Sequence, residues 1–314
     1  MADHQETEKR IDFDPDIVGG DDGDSAIDSQ RWVESTASIT SSILEYRKIH
    51  GRTYKSSKTT EYWAPNDEKH VEGFDLGCDK IKDILTLSIL KCKQRILDVG
   101  TGSGIWAIDM ADIFPSAHII GIDISPTQLS WIPPNLFDFI HIRSLHDAID
   151  DWTKLYGQLF KFLKPGGWVQ HMEPGIALRC DNPATKVDKD HVFKQWAQLF
   201  YDAGDRLGRT FDITDKKMET WACEAGFTQI PPKTLKLPYG GWPKDPTLKE
   251  LGRYVNFYMD MSLGGFATYP MSQILGWSLE EITVLVTQMR AAINDQKNFP
   301  NGGMYVTYGQ KPWP

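Results

Sequence analysis

Three glycines and two acidic residues between positions 98 and 123 are the part of the sequence best suited to chemistry. The glycines are Gly100, Gly102 and Gly104. Asp98 stands just before them, and Asp123 comes nineteen residues after the last of them. Glycines at this spacing let the backbone turn sharply and approach a ligand at a helix N-terminus. A carboxylate at position 123 can accept hydrogen bonds from both ribose hydroxyls, so the pattern favours a nucleoside-containing ligand.

The glycine spacing separates two classes of cofactor that use this arrangement. A dinucleotide fingerprint has the form G-x-G-x-x-G, but Ile105 follows Gly104 here, so the third glycine is one place early. An acid at Asp98 would also repel the pyrophosphate of a dinucleotide. The same acid suits a cation, such as the amino group of S-adenosylmethionine (SAM).

A strand, a helix and a second strand are predicted to position these residues. Residues 95–100 form a short apolar run that ends in glycine, which is typical of a buried strand. Residues 105–114 read as a helix that ends at Pro115, and residues 118–123 read as the second strand. The unit predicts two parallel strands joined by a right-handed crossover.

The rest of the chain alternates in the same way, which predicts an α/β fold. Apolar residues spaced by three and four predict a helix over about 35–54, and a second helix is predicted over 68–91. Further strands are predicted at 137–141, 167–172, 227–237 and 303–309, and helices at 151–163, 191–207, 215–225 and much of 247–297.

Charge and composition narrow the class of protein. Residues 1–30 hold ten acids and two bases, so they carry −8 of the net charge of −9. Such a segment buries too little apolar surface to offset the entropy of ordering, and residues 1–35 are predicted to be a disordered acidic tail. The near-neutral remainder offers no basic stripe for nucleic acid, and there is no apolar run long enough for a membrane span. Four widely spaced cysteines favour reduced thiols in a cytoplasmic or nuclear protein.

The chain resembles the class I SAM-dependent methyltransferases, and within them the fungal LaeA-like group. The resemblance begins with ILDVGTGSGIWA at 96–107, which is similar to the first motif of the class. Further motifs of the group follow the same order along the chain: WAPNDE at 63–68, GIDISP at 121–126, WIPPN at 131–135, FDFIH at 137–141, LKPGGW at 163–168 and VTYGQKP at 306–312. The resemblance covers roughly residues 40 to 314. The motifs are specific for this family only when they are taken together.

The resemblance implies a Rossmann-like sheet with helices on both faces and assigns roles to the residues above. Residues 36–314 would be the methyltransferase domain, and 240–298 would be a helical cap inserted before the last strand. Asp98 and the loop of Gly100, Thr101, Gly102 and Gly104 would hold the methionine part of SAM. Asp123 would hold the ribose, and Ile124 would touch the adenine. Several large side chains could line the cap: Trp242, Tyr254, Phe257, Tyr258, Met261, Phe266 and Trp277.

The sequence departs from the family between residues 124 and 136. The family has a further strand here, but these thirteen residues contain three prolines and cannot supply a helix, a strand and a return. One edge strand is therefore expected to be missing, which exposes strand 118–123 as an edge and removes one wall of the adenine site. Either a segment has been lost from this sequence, or the protein is a degenerate methyltransferase that binds SAM weakly.

The candidate proton-transfer residues lie at the ends of two predicted strands. His141 ends one strand, with Arg143, Ser144 and His146 after it, and His171 and Glu173 end the next. Ligands of open α/β sheets bind beyond the carboxyl ends of the strands, so His141, His171 and Glu173 are candidate catalytic residues. Alternatively, these residues have no catalytic role and are polar side chains at strand ends whose hydrogen-bonding groups are paired within the protein. No G-x-S-x-G motif and no metal-ligand spacing occurs, so hydrolysis by a serine triad and a metal site are not expected.

Three functions remain as hypotheses at this point. The first is a SAM-dependent methyltransferase that acts on a small molecule of fungal secondary metabolism. The second is a LaeA-like nuclear regulator of secondary metabolism, which would have a protein partner rather than contact DNA directly. The third is a nicotinamide oxidoreductase, which the glycine spacing and the turn at Lys164–Gly167 disfavour.

Overall fold

The computed structural model describes residues 12, 46–55, 62–68, 70–71, 95–123, 132–230 and 233–314. Most of the acidic tail and most of the helix expected over 68–91 lie outside these residues. Ile124 also lies outside them.

Nine strands and six α-helices are present in the described residues. The strands are β1 (Tyr46–Ile49), β2 (Arg52–Lys55), β3 (Arg95–Val99), β4 (His118–Ile122), β5 (Phe137–Arg143), β6 (Leu163–Pro174), β7 (Arg179–Cys180), β8 (Lys233–Pro238) and β9 (Pro300–Gln310). The α-helices are α1 (Ile105–Ile113), α2 (Trp152–Phe162), α3 (Val192–Leu207), α4 (Asp215–Glu224), α5 (Pro246–Tyr269) and α6 (Leu279–Asn294). A π-helical turn (Pro270–Leu275) continues α5, and a 3-10 turn (Gln296–Asn298) precedes β9.

The central sheet is mixed and has the strand order β4-β3-β5-β6-β9, with β7 and β8 both paired to β9. The first four strands run parallel, and β9 runs antiparallel to all three of its partners. Parallel strands end at one edge of a sheet, so the carboxyl ends of β3, β5 and β6 lie side by side. This edge is where the candidate site residues are found.

Helices cover both faces of the sheet. Trp106 and Met110 of α1 pack with Ile96 and Phe139 on one face. On the opposite face, α2 and α4 pack against the side chains of β3 and β5, such as Leu97. Burial on both faces explains why these strands read as continuous apolar runs rather than as alternating ones. The α/β class expected from the sequence is confirmed.

The helix predicted over 35–54 is wrong for its described part, because residues 46–55 form the β1–β2 hairpin. His50 and Gly51 both have positive φ, at 46° and 81°. Two consecutive positive φ values are the mark of the tight turns that join antiparallel strands. The backbone preference of the His50–Gly51 turn therefore outweighs the apolar spacing that favoured a helix.

Strand β4 lies at the edge of the sheet among the described residues. It pairs with β3 over its whole length, and no described strand pairs with its other side. The segment for which the sequence predicts a missing edge strand lies largely outside the described residues, so that expectation stays a prediction. The side chains of Ile119, Ile120 and Ile122 are half-buried there.

Helices α5 and α6 and the π-helical turn lie between β8 and β9 in the chain and join the largest buried cluster. Leu251, Val255 and Phe266 of α5 and Met289 of α6 belong to it, together with Val306 of β9. No helix in the described ranges is both long enough and apolar enough to cross a membrane.

Two glycines of α5 give opposite expectations for stability. A Cβ on Gly252 would lie 2.1 Å from the carbonyl oxygen of Gly240, whereas a Cβ on Gly264 would meet no atom within 4 Å. Gly264→Ala should raise the free energy of unfolding by roughly 0.5–1 kcal/mol, because alanine loses less entropy in a helix. Gly252→Ala should lower it by about 1–3 kcal/mol through overpacking. Urea unfolding of both variants beside the wild type measures this, and equal stability of the two variants would contradict the packing described for α5.

Candidate functional site

The loop after β3 needs glycine for its backbone and for its contacts. Gly100, Gly102 and Gly104 have φ of 77°, 57° and 83°, which L side chains rarely adopt. The N–H groups of Gly100 and Thr101 both donate to the carbonyl oxygen of Ile122, at 2.7 and 2.9 Å. These bonds fix the loop to the end of β4.

Gly100 also lies directly against the segment that follows β5. A Cβ at this position would lie 2.4 Å from Cδ2 of Leu145. The glycine loop and the end of β5 are therefore in contact, and no larger residue fits between them.

Asp98 and Asp123 meet at this loop. The Oγ1 of Thr101 donates to Oδ2 of Asp98 at 2.7 Å, and the N–H of Gly102 donates to Oδ2 of Asp123 at 2.8 Å. The structure thus brings together the residues that the sequence assigned to the cofactor: Asp98, Gly100, Thr101, Gly102, Gly104 and Asp123. Ile124 lies outside the described residues.

The environment of Asp98 suits a positively charged group. Its side chain is buried, and burial raises its pKa to about 6. The hydrogen bond from Thr101 and the charge of Arg143 act in the opposite direction, and the charge of Asp123 adds to the increase. A buried carboxylate gains most from a cation that hydrogen bonds to it, and the amino group of SAM is such a cation. The residues present therefore fit this cofactor.

Glu173 occupies the centre of a buried hydrogen-bond network at the end of β6. Its Oε1 accepts from the N–H of Leu145 at 2.7 Å and lies 3.0 Å from Nε2 of His171. Its Oε2 lies 2.7 Å from Nδ1 of His146. Burial by itself would raise the pKa of Glu173, but the hydrogen bonds and charges of the two histidines outweigh it and lower the pKa to about 2. The carboxylate is therefore ionised and acts only as an acceptor.

The other two candidate catalytic residues are fully buried on opposite faces of the sheet. His141 stacks on Trp106 with ring centroids 4.0 Å apart, and its Nδ1 lies 3.0 Å from Oε1 of Gln170. Burial lowers the pKa of His141 well below its usual value. His171 stacks on Trp152 at 4.8 Å, and its Nδ1 lies 2.8 Å from the hydroxyl of Tyr156. Neither ring lines the cavity described next, whereas Glu173 reaches that cavity through His146.

An apolar cavity of about 130 Å³ lies beside the carboxyl ends of β5 and β6. This is close to the roughly 150 Å³ of an engineered cavity that binds benzene. Its described lining has an aromatic part and a polar part: Tyr62, Trp63, Trp196, Phe200, Tyr239, Tyr258 and Phe266 on one hand, and His70, Arg143, Ser144 and His146 on the other. Of the side chains expected to line a cap, Tyr258 and Phe266 reach this cavity. Trp242 instead packs against Phe299 and donates to the carbonyl oxygen of Pro300.

Trp63 connects the segment 62–68 to the cavity. Its ring lies 4.9 Å from that of Phe266 and 5.6 Å from that of His146, and its Nε1 donates to the carbonyl oxygen of His146 at 3.2 Å. The same segment is fixed to β2 by the ion pair of Arg52 with Asp67, at 2.6 Å. The hairpin therefore holds one wall of the cavity in place.

The pairing of His146 with Glu173 is the feature of the site that the sequence did not predict. His146 appeared only as one of several polar residues after β5. The available signal was only that both residues lie near the carboxyl ends of two neighbouring parallel strands, His146 shortly after β5 and Glu173 in the last residues of β6.

Comparison with known proteins identifies the family of the chain. A family model described as "Methyltransferase domain" matches residues 50–230. Methyltransferase pytC of Aspergillus terreus is 33% identical over 301 residues, which cover 89% of this chain and 92% of that protein. Secondary metabolism regulator LAE1 of Cochliobolus heterostrophus is 30% identical, over 84% of this chain and 94% of its own length.

The chain is also similar, at low sequence identity, to solved structures. A phosphoethanolamine N-methyltransferase 2 of Haemonchus contortus, in complex with S-adenosylhomocysteine, has a TM-score of 0.43 and 18% identity, over 76% of this chain and 53% of that one. The extent of the family match and the identity to pytC show that this chain belongs to the methyltransferase-domain family and is a SAM-dependent methyltransferase.

Proposed function

We propose that the chain transfers a methyl group from SAM to a hydroxyl or amine of a small molecule of fungal secondary metabolism. The observation that carries this proposal is the position of Arg143. This residue lines the apolar cavity, and its charge also acts on the carboxyl group of Asp98. The cavity and the proposed cofactor residues are therefore both close to one residue at the end of β5, and a transfer between two bound molecules requires such proximity.

The proposed cofactor site consists of the glycine loop and the two carboxylates beside it. Asp98 would accept hydrogen bonds from the amino group of the methionine part, and the backbone of Gly100–Gly104 with Thr101 would surround that part. Asp123 would accept from the ribose hydroxyls, and Ile124 would touch the adenine. When bound, SAM supplies a methyl group on a positively charged sulfur. The protein contributes alignment of the acceptor and exclusion of water.

The proposed acceptor site is the apolar cavity. Its described lining is mostly aromatic and aliphatic, with few polar groups, which is typical of a pocket that binds a small organic molecule. Its size fits a single ring or a group of similar volume.

A second candidate function is regulation of secondary metabolism through a protein partner in the nucleus. The observation in its favour is the 30% identity to regulator LAE1. The identity to pytC is slightly higher, and both proteins are matched over most of their length. Metabolite profiles can separate the two functions.

The first prediction of this proposal concerns SAM binding. Wild-type protein should bind SAM, and Asp98→Ala and Asp123→Ala should each weaken binding roughly 10- to 100-fold, because each removes a hydrogen bond to a charged group, worth about 1.5–3 kcal/mol. Asp112→Ala, on the exposed surface of α1, is the matched control and should bind like the wild type. Isothermal titration calorimetry measures all four. Equal binding by all four proteins contradicts the site, and wild-type binding much weaker than micromolar supports the degenerate alternative.

The second prediction concerns pH. Burial raises the pKa of Asp98 to about 6 in the free protein, while Thr101 and Arg143 lower it and Asp123 raises it. Binding of a cation requires the ionised carboxylate of Asp98. Below about pH 6 this group is protonated in the free protein, so binding of SAM must displace its proton. SAM affinity should therefore be constant above about pH 7 and should fall by up to about tenfold per unit below pH 6. Titrations at several pH values test this, and Asp98→Asn should bind weakly with no such dependence below pH 6.

The third prediction separates the two candidate functions. Deletion of the gene should abolish one metabolite, or one group of related metabolites, if the protein is a pathway enzyme. Untargeted mass spectrometry of the deletion strain gives the answer, with the reintroduced gene as the control. Loss of many unrelated metabolites would contradict the pathway function and favour the regulator.

A further inference from the structure

His146 is set apart from the other described residues of the cavity by its partner. It lines the cavity, and its Nδ1 lies 2.7 Å from the buried carboxylate of Glu173. The second histidine of the lining, His70, has the hydroxyl of Ser262 at 3.2 Å instead. Burial lowers the pKa of His70 to about 4, so that ring is a weak base at neutral pH. His146 is therefore the better candidate for proton transfer.

The hydrogen-bond network fixes which ring nitrogen of His146 carries the proton. An ionised carboxylate can only accept, so Nδ1 of His146 must be the donor toward Glu173. In the neutral ring, Nε2 is then the nitrogen with the free electron pair. Glu173 is held in turn by the N–H of Leu145 and by His171. The carboxylate cannot turn away from His146 without leaving these buried donors unpaired.

The lining also indicates the chemistry of the acceptor. Arg143 is part of it, and none of the lining residues in the described chain is a carboxylate. A cationic amine would meet no carboxylate among these lining residues, whereas an oxygen that gains negative charge would be stabilised by the guanidinium of Arg143. The rings of Trp63, Tyr258 and Phe266 belong to the lining and supply apolar aromatic surface against which an aromatic acceptor can pack.

We propose that Nε2 of His146 removes the proton from a phenol or enol hydroxyl of the acceptor, and that Glu173 is the positioning residue that holds the proton of the neutral ring on Nδ1 and leaves the electron pair on Nε2. The inference rests on the proposed function and names its substrate class. The acceptor O–H bond breaks, the proton goes to Nε2, and the electron pair of that bond stays on the oxygen. This oxygen would form the new bond to the methyl group of SAM, while the methyl–sulfur bond would break with its electron pair left on sulfur, giving S-adenosylhomocysteine. The proton then passes from Nε2 to water.

A nitrophenol tests this without knowledge of the natural acceptor, because its anion absorbs visible light. The wild type is titrated with 4-nitrophenol, with S-adenosylhomocysteine present, at a pH where the free probe is mostly protonated. Binding is followed by quenching of the fluorescence of tryptophans such as Trp63 and Trp196. We expect the visible absorbance of the bound probe to rise several-fold above that of the free probe. A probe that does not bind, or that binds without ionising, overturns the proposal.

Two variants test the parts played by the two residues. In His146→Asn, the amide nitrogen takes the place of Nδ1 and keeps the hydrogen bond to Glu173, but Nε2 is gone. In Glu173→Gln, the amide can donate to Nδ1, which moves the proton of the ring to Nε2. Both should lose the rise in absorbance. His118→Asn, at an exposed position of β4, is the matched control and should keep it.

The outcomes separate this proposal from the proposed function. Thermal melts by circular dichroism establish that each variant is folded, and the wild-type result does not depend on any variant. Full ionisation of the probe in folded His146→Asn overturns the role of His146, and full ionisation in folded Glu173→Gln overturns that of Glu173. Calorimetry with SAM on the same wild-type sample tests the proposed function independently: SAM binding without probe ionisation refutes only the inference about His146.

Discussion

The proposed cofactor site and the apolar cavity both depend on the hydrogen bonds that the buried carboxylate of Glu173 accepts. A charge without access to water costs several kcal/mol unless donors surround it. Here the donors are the backbone of Leu145 and the rings of His146 and His171. Leu145 and His146 follow β5, and His171 lies on β6, so the requirement to satisfy one side chain fixes the loop after β5 against the neighbouring strand.

The same loop connects the two proposed binding sites. The side chain of Leu145 lies where a Cβ of Gly100 would be, and His146 lines the cavity one residue later. A shift in this loop would therefore alter the glycine turn and the cavity together. Trp63 also contacts this loop, since its ring packs on that of His146 and its Nε1 donates to the carbonyl oxygen of His146. The cavity is in this way coupled to the hairpin that holds residues 62–68.

The sequence predicted the sheet and the glycine loop well because their signals are local. Residues 95–123 carry a strand, a turn, a helix and a second strand in uninterrupted order, and the strand bounds follow from the apolar runs. The partnership of His146 with Glu173 could not be predicted, because it depends on the register between β5 and β6, which no pattern within either strand specifies. The β1–β2 hairpin was missed for another reason: apolar spacing suited a helix, and the decisive information was the backbone preference of the His50–Gly51 turn.

Strand β9 has a consequence for how the molecule is made. It pairs with β6, β7 and β8, and it follows all of them in the chain. The parallel strands β3, β4 and β5 can assemble while synthesis continues, but β8 has no described partner in the sheet other than β9. On the ribosome, β8 must therefore wait for this strand partner until residues 300–310 have emerged. Contacts between distant parts of a chain form slowly, and a strand edge that waits unpaired in this way is exposed to aggregation.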